Sequence, residues 1–501
     1  MSQSDLFSWN MERDPVLRST IVSVLVLDTE PDWDRLMRTM DRGTRLVPRL
    51  RHLLVPAPWG LAPPRWALDP DFDLSWHVRR SALPEPATMS AVLEFARTEA
   101  MTGFDPAHPL WRSTLLSGLE GAACVLVLTV HHSLTDGIGG IRIATSLLDF
   151  DRAGTDHGQP PELREDRASA LRDIVTWNLS VGSDLLVGGV RATAPTTWRV
   201  LSNPARAVRE GAALAGSLAR LARPITTTLS PLMTRRSLGR RVAVLDVPLE
   251  RLRAAARATD CTLNDAFLTA VVLGLRTYHD RHGAALDQLR VTMPISLRTP
   301  DDPLGGIRIT LARFALPVAI AETADLMRAV DAAVASWRRE PAIPLSGAVA
   351  AALNRLPAGL LTEMLKHVDF VASNVPGSPV PLYIAGARID RMYSFGPTIG
   401  TAVNVTLTSH AGTCYIGINA DTAAVTDLET LTECLTGGFA TVVGLGSEHV
   451  PPSGTESSKR GSPSTSGSSP GEGSRARLVS PGPGGHHDPP KPSHPSRPAD
   501  A

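Results

Sequence analysis

Two hydrophobic periods meet near residue 131. Cys124-Val125-Leu126-Val127-Leu128-Thr129-Val130 is a short run of β-branched and large apolar residues without polar alternation, which predicts a strand buried on both faces. After Gly137 the period lengthens, and Ile138, Ile141, Ala144, Leu147 and Leu148 share one helical face ending near Asp149. The polar residues 131–137 therefore occupy a strand-to-helix loop. Upstream, residues 21–27 read as a strand and 32–40 as a helix, residues 63–78 as an extended segment anchored by Trp66 and Trp76, and residues 91–100 as a helix. Downstream, residues 242–247 predict a strand and 249–259 a helix. A second helix starts at Thr262, with Thr262 as N-cap, Asp265 favouring its positive end, and Ala266, Phe267, Ala270, Val271 and Leu275 on a buried face. Residues 290–295 form a strand entering the Ser296-Leu297-Arg298 turn. Residues 368–373 form a strand ending in the turn Asn374-Val375-Pro376-Gly377, and 404–409 with 414–419 form a hairpin about Ala411-Gly412.

A chain of 501 residues, 43% of them hydrophobic, exceeds one typical core. The expected division is an N-terminal domain over 1–150, a linker with crossover helices over 151–238, a C-terminal domain over 239–450 and a disordered Ser/Pro/Gly-rich tail over 451–501. Strands mixed with helices in both halves place the chain in the α/β class, with α+β mixing. Lys+Arg and Asp+Glu are each 50, a formal net charge of +0 that argues against nucleic acid as a partner. Arg235, Arg236, Arg240 and Arg241 form a local basic cluster, either a solvated face or a site for phosphates or anionic head groups. Cys124, Cys261, Cys414 and Cys434 show no metal-ligand spacing, so reduced core thiols are expected and no metal site. The start MSQSDLFSWNMERDP lacks a signal core and no window is long enough to span a bilayer, so a cytoplasmic chain with at most peripheral membrane contact is expected.

The loop reads His131-His132-Ser133-Leu134-Thr135-Asp136-Gly137. Taken singly, Asp136 is a candidate N-cap and either histidine a satisfied core residue. Adjacent histidines at this spacing from Asp-Gly arise by chance on the order of once in a thousand chains this long, which favours chemistry. His132 is the better general base, because an imidazole titrating near neutrality takes a proton from a hydroxyl and returns it to a leaving group. Asp136 either fixes the ring tautomer or anchors the loop through an arginine elsewhere in the chain. The second role is preferred, with Gly137 turning the carboxylate away from substrate and Arg298 as the candidate partner.

Together with Pro109-Leu110-Trp111, Asn264-Asp265, Pro294-Ile295-Ser296-Leu297-Arg298 and Ser373-Asn374-Val375-Pro376-Gly377, this loop resembles the bacterial wax ester synthase/acyl-CoA:diacylglycerol acyltransferase family over roughly residues 1–447. The resemblance implies two chloramphenicol-acetyltransferase-like domains with a channel between them. It also implies transfer of a long-chain acyl group from acyl-CoA, a co-substrate rather than a cofactor, to diacylglycerol or a long-chain alcohol, at a membrane or lipid-inclusion surface. By the same resemblance His132 is the base, His131 its supporting neighbour, Asp136 and Gly137 structural, and Asn264 and Asp265 shapers of the catalytic interface. Asn264, Asn404 or a backbone amide are the candidate oxyanion donors. Two positions depart from the family: Gly306, where Asn is common after Gly305, and His410, where an aromatic is common. The competing readings are a condensation or polyketide-associated acyltransferase using a carrier-bound donor, and a noncatalytic lipid-binding protein of the same fold.

Overall fold

The computed structural model describes residues 1–58, 62–154, 225–299, 304–340 and 365–447, with isolated positions between these stretches. The linker and crossover helices expected over 151–238 lie mostly outside the described residues, as does the tail from 451. The N-terminal part forms α1 (Gln3–Met11), β1 (Thr20–Leu27), α2 (Trp33–Leu46), β2 (His52–Val55), β3 (Arg65–Leu68), the single turn α3 (Leu74–His77), β4 (Val78–Ala82), α4 (Met89–Met101), β5 (Trp111–Ser117), β6 (Cys124–His131) and α5 (Gly137–Leu147). The C-terminal part forms β7 (Arg240–Pro248), α6 (Leu249–Ala258), α7 (Leu263–Arg281), β8 (Gln288–Ser296), β9 (Ile309–Pro317), α8 (Thr323–Arg338), β10 (Phe370–Val375), β11 (Tyr383–Ile384), β12 (Ala387–Phe395), β13 (Val403–His410), β14 (Thr413–Asp421) and α9 (Leu428–Ser447).

Two six-stranded sheets result, ordered β11-β12-β1-β6-β5-β4 and β7-β14-β13-β10-β8-β9, beside a small β2-β3 hairpin. Strand β6 is buried along its length except at Leu128, as its unbroken apolar run requires. Helix α7 is hydrophobic nearly all round and is correspondingly enclosed, with Phe267, Val271 and Leu275 fully buried in the second core. Its N-terminus carries the expected Thr262–Asp265 capping box.

Sheet membership does not follow the 150/239 division of the chain. Strands β11 and β12, from the C-terminal part, belong to the first sheet, with β12 antiparallel to β1 from Val22 opposite Phe395 to Leu27 opposite Ile389. What holds it there is the antiparallel ladder to β1 together with the burial of its apolar residues. Ile389, Tyr393 and Phe395 all fill the first core, and Tyr393 also reaches the second sheet by donating its hydroxyl to Asp246 Oδ1 at 2.8 Å. The exchange places β1 in the middle of the first sheet. Residues 1–451 form one compact unit.

Candidate active site

Strand β6 delivers the motif loop. The last residue of β6, His131, lies opposite Thr20 of β1, and the next amide, His132 N–H, donates to the Ser19 carbonyl at 2.8 Å. The two histidines then diverge. His131 is fully buried, with Trp9 and Phe104 against its ring edge-on. Its Nδ1 accepts the Ser133 backbone N–H at 3.1 Å. A backbone N–H can only donate, so the proton of neutral His131 sits on Nε2, 3.4 Å from Glu12 Oε2. Burial pushes Glu12 up, but His131, the Ser19 amide and Arg18 outweigh it and hold its carboxyl below the usual range.

His132 instead lines a cavity of about 830 Å³. Its Nδ1 is buried with no partner outside its own residue, facing the His132 carbonyl, and Nε2 is the ring atom left for the cavity. Burial lowers its pKa below that of a free imidazole, while the charge of Asp136 opposes the shift. The lowered pKa favours the neutral ring near pH 7, a form able to accept a proton.

Asp136 combines the two structural roles read from the sequence. Its Oδ1 accepts the Gly139 amide at 2.7 Å and caps α5, while Oδ2 accepts Arg298 Nη2 at 2.9 Å and the Arg308 amide at 2.7 Å. Side-chain exposure is 0% for Asp136 and 2% for Arg298, so the pair is walled off from solvent. The loop opposite is bound by its backbone as well. Gly306 N–H donates to the Leu134 carbonyl at 2.7 Å, and the Gly306 carbonyl accepts Arg298 Nη2 at 2.7 Å. Gly306 has φ +72°, a left-handed conformation that glycine adopts freely and asparagine tolerates.

The remaining expected residues separate by side-chain direction. Asn264 lines the cavity, its Nδ2 making only a weak contact to Met293 Sδ at 3.6 Å. Asp265 is turned inward and is occupied with the helix cap. Asn404 also lines the cavity, but its Nδ2 already donates to the Pro397 carbonyl at 2.8 Å. Trp111 is anchored through Nε1 to the Leu50 carbonyl at 2.7 Å and stacks on His77. His410 stands away from the cavity, where its Nε2 meets the Ile389 carbonyl at 3.0 Å and ties β13 to β12. Arg236 and Arg240 of the basic cluster are spent internally, on the Gly400 and Val368 carbonyls and on Asp421, while Arg235 and Arg241 are exposed.

Three contributors escaped the sequence reading. Asp5 is fully buried, accepts the Ile307 amide at 2.9 Å and pairs with Arg49 Nη1 at 2.9 Å, joining α1 to the loop that clamps Asp136. Its only local signal was Ser2 three residues earlier, the capping box of α1. Glu12 has no comparable signal, and Arg313, which lines the cavity, resembles any other arginine on a strand.

Two mixed six-stranded sheets make up a fold that this chain shares with condensation domains. The first condensation domain of the calcium-dependent antibiotic synthetase superposes with a TM-score of 0.59 at 17% identity, covering 89% of this chain and 96% of that one. A wax ester synthase/diacylglycerol acyltransferase from Marinobacter aquaeolei VT8 superposes equally well, TM-score 0.59 at 22% identity, over 89% of this chain and 98% of that one. The chain belongs to the wax ester synthase/diacylglycerol acyltransferase family: its catalytic-domain model matches residues 1–267 and its C-terminal-domain model residues 306–442. A Mycobacterium tuberculosis H37Rv protein, provisionally named a diacylglycerol O-acyltransferase, is 34% identical over 450 residues, 88% of this chain and 91% of its own. A Mycobacterium bovis protein with the same provisional name is 32% identical over 413 residues, 76% of this chain and 77% of its own.

Proposed function

We propose that this acyltransferase moves a long-chain acyl group from acyl-CoA to the hydroxyl of diacylglycerol, and to long-chain alcohols, with His132 as general base. The observation that carries the proposal is the orientation of His132, with Nδ1 against its own carbonyl and Nε2 toward an apolar cavity. Nε2 takes the proton of the acceptor hydroxyl as its oxygen attacks the thioester carbonyl, giving a tetrahedral oxyanion without an acyl-enzyme. Collapse breaks the carbon–sulfur bond, and the imidazolium returns its proton to the departing thiolate. Asn264 is the freer of the two cavity-lining asparagines to stabilise the oxyanion, since Asn404 is held by Pro397. Asp136, Arg298 and Gly137 hold the loop and take no part in the proton transfer, and His131 supports the backbone from which His132 projects.

Apolar substrates and the lack, among the described residues, of a helix long and apolar enough to cross a membrane support peripheral action at a lipid surface. The purified protein, given long-chain acyl-CoA with diacylglycerol and long-chain alcohol in parallel, is expected to form both esters. His132→Ala is expected to lose about 10²- to 10⁴-fold in kcat with an unchanged circular dichroism spectrum. Near-normal turnover by that variant overturns the mechanism, and esters formed only from an acyl-carrier-protein donor overturn the choice of acyl-CoA.

A further inference from the structure

Strand β1 lies between β12 and β6, yet every second residue on one face is incompletely covered. Thr20, Val22, Val24 and Val26 are buried, whereas Ile21, Ser23 and Leu25 are half-buried, and those three line the cavity. In a central strand roofed by a helix, such exposure faces internal space. The registers extend the rows sideways: Ile21 lies opposite Val130, Ser23 opposite Leu128 and Ser394, and Leu25 opposite Leu126 and Met392. All of these partners line the same cavity.

Helix α5 forms the roof. It is apolar at Ile138, Ile141, Ile143, Ala144 and Leu147, all of which line the cavity, and Gly139 is its one buried residue: Ile141 and Ala144 touch the first core and are still only half-buried. The arm is long. His132 is level with Ser19, and Leu25 lies six residues farther along β1. At about 3.3 Å per residue that is roughly 20 Å, against the roughly 15 Å that a lipid tail spans in one leaflet. Its far end is shut where Leu148 and Ile384, both lining residues, flank a closed pair of hydrogen bonds: Asp149 N–H to the Tyr383 carbonyl and Tyr383 N–H to the Asp149 carbonyl, each 2.9 Å.

We propose that this arm holds the single alkyl tail of the acyl donor, and that its floor at Leu25, Leu126, Met392, Leu148 and Ile384 sets the longest chain transferred. The inference rests on acyl transfer at His132. An acyl-CoA brings one alkyl tail and a diacylglycerol two, and an arm that runs along the one strand β1 to a single closed end matches the first. Leu147 shapes the end of the arm from the roof. A Cβ added to Gly43 of α2 would lie 2.8 Å from both Leu147 δ-carbons, so Leu147 occupies the notch left by that glycine. Filling the notch drives Leu147 toward the arm.

The test measures equilibrium binding of unreactive S-alkyl-CoA thioethers, octyl to hexadecyl, by calorimetry to the full chain and to two variants. Binding by the wild type is expected to tighten with each added methylene up to hexadecyl. Ser23→Phe, which blocks the middle row, should lower the ratio of hexadecyl to octyl affinity by at least about tenfold. Gly43→Ala, at the far end and favourable for helix α2, should lower that ratio by about threefold. A length ratio unchanged in both variants overturns the proposal, as does a length shift confined to a parallel n-alkanol series, which would assign the arm to the acceptor. Binding requires no turnover, so the two readings fail separately. Absence of ester formation with the length dependence intact removes only acyl transfer, and absence of length dependence with ester formation intact removes only the arm.

Discussion

Helix α5 separates two regions built on opposite terms. At its N-terminus every oxygen of the buried Asp136 carboxylate is engaged, and Arg298, the Gly139 and Arg308 amides and the Gly306 backbone lock the motif loop to a segment some 170 residues away in the chain. Along its inner face the same helix leaves Ile141 and Ala144 only half-buried, touching the first core and lining the cavity. The first region is filled and charge-paired because a base must hold its position to a fraction of an ångström. The second is apolar and loosely packed, as the proposed seat of an alkyl tail requires. The difference separates residues whose loss should unfold the site from residues whose loss should change what it accepts.

The clamp gives the largest predicted effect. Asp136→Ala leaves the Arg298 guanidinium buried without its counter-charge and removes the cap of α5, a loss of about 3–5 kcal/mol. Chemical denaturation should show it, and Asp136→Ala combined with Arg298→Met should be less damaged than Asp136→Ala alone, since the double variant buries no unpaired charge. If the double variant is the worse of the two, the pair contributes more than it costs to bury. Asp5→Ala attacks the same clamp from α1. It frees the Ile307 amide and Arg49, which is 28% exposed and rehydrates, so a smaller loss of about 1–3 kcal/mol in the same denaturation experiment is expected.

The clamp also reaches the chemistry through charge. Burial lowers the pKa of His132 and Asp136 partly restores it. Activity therefore falls as pH drops through a value below the roughly 6.5 of a free histidine, because protonation removes the base. Neutralising the carboxylate in Asp136→Asn takes away the nearby charge that most strongly favours the imidazolium, so the acid limb of kcat/KM should move to lower pH even as the rate at the plateau declines. An acid limb that moves upward instead would separate that limb from His132.

How much of this was legible in the sequence depended on distance along the chain. The apolar run 124–130, the helical face after Gly137, the Thr262 cap and the hairpin about Gly412 are local patterns, and the structure contains each of them. Asp136 and Arg298 were placed together because the motif carrying each was recognisable, although 162 residues separate them. The strand exchange of β12 was not legible, since nothing in an apolar strand states which sheet it joins. Asp5 was missed for a related reason: its carboxylate looks like a helix cap, which it is, and its second partner at Ile307 leaves no trace near residue 5. His410 stood out only as a departure from the family's usual aromatic, and the three-dimensional register shows that it faces Ile389.

The smallest effect tests whether the clamp is a matter of backbone or of side chains. Gly306 holds the motif loop through its N–H and its carbonyl, and neither bond needs the missing side chain. At φ +72° an asparagine is tolerated, and a Cβ there would stand 3.2 Å from Arg49 Nη1, the far end of a side chain able to move. Restricting the unfolded chain contributes about 0.4–1 kcal/mol in favour of any residue other than glycine, and the left-handed backbone costs a comparable amount. Gly306→Asn should therefore leave the unfolding midpoint within about 2–4 °C of the parent protein, whereas the β-branched Gly306→Val should lower it clearly because its backbone resists positive φ. Equal losses in both variants would mean that Arg49 cannot give way, making the Asp5–Arg49 pair as rigid a part of the clamp as Asp136 and Arg298.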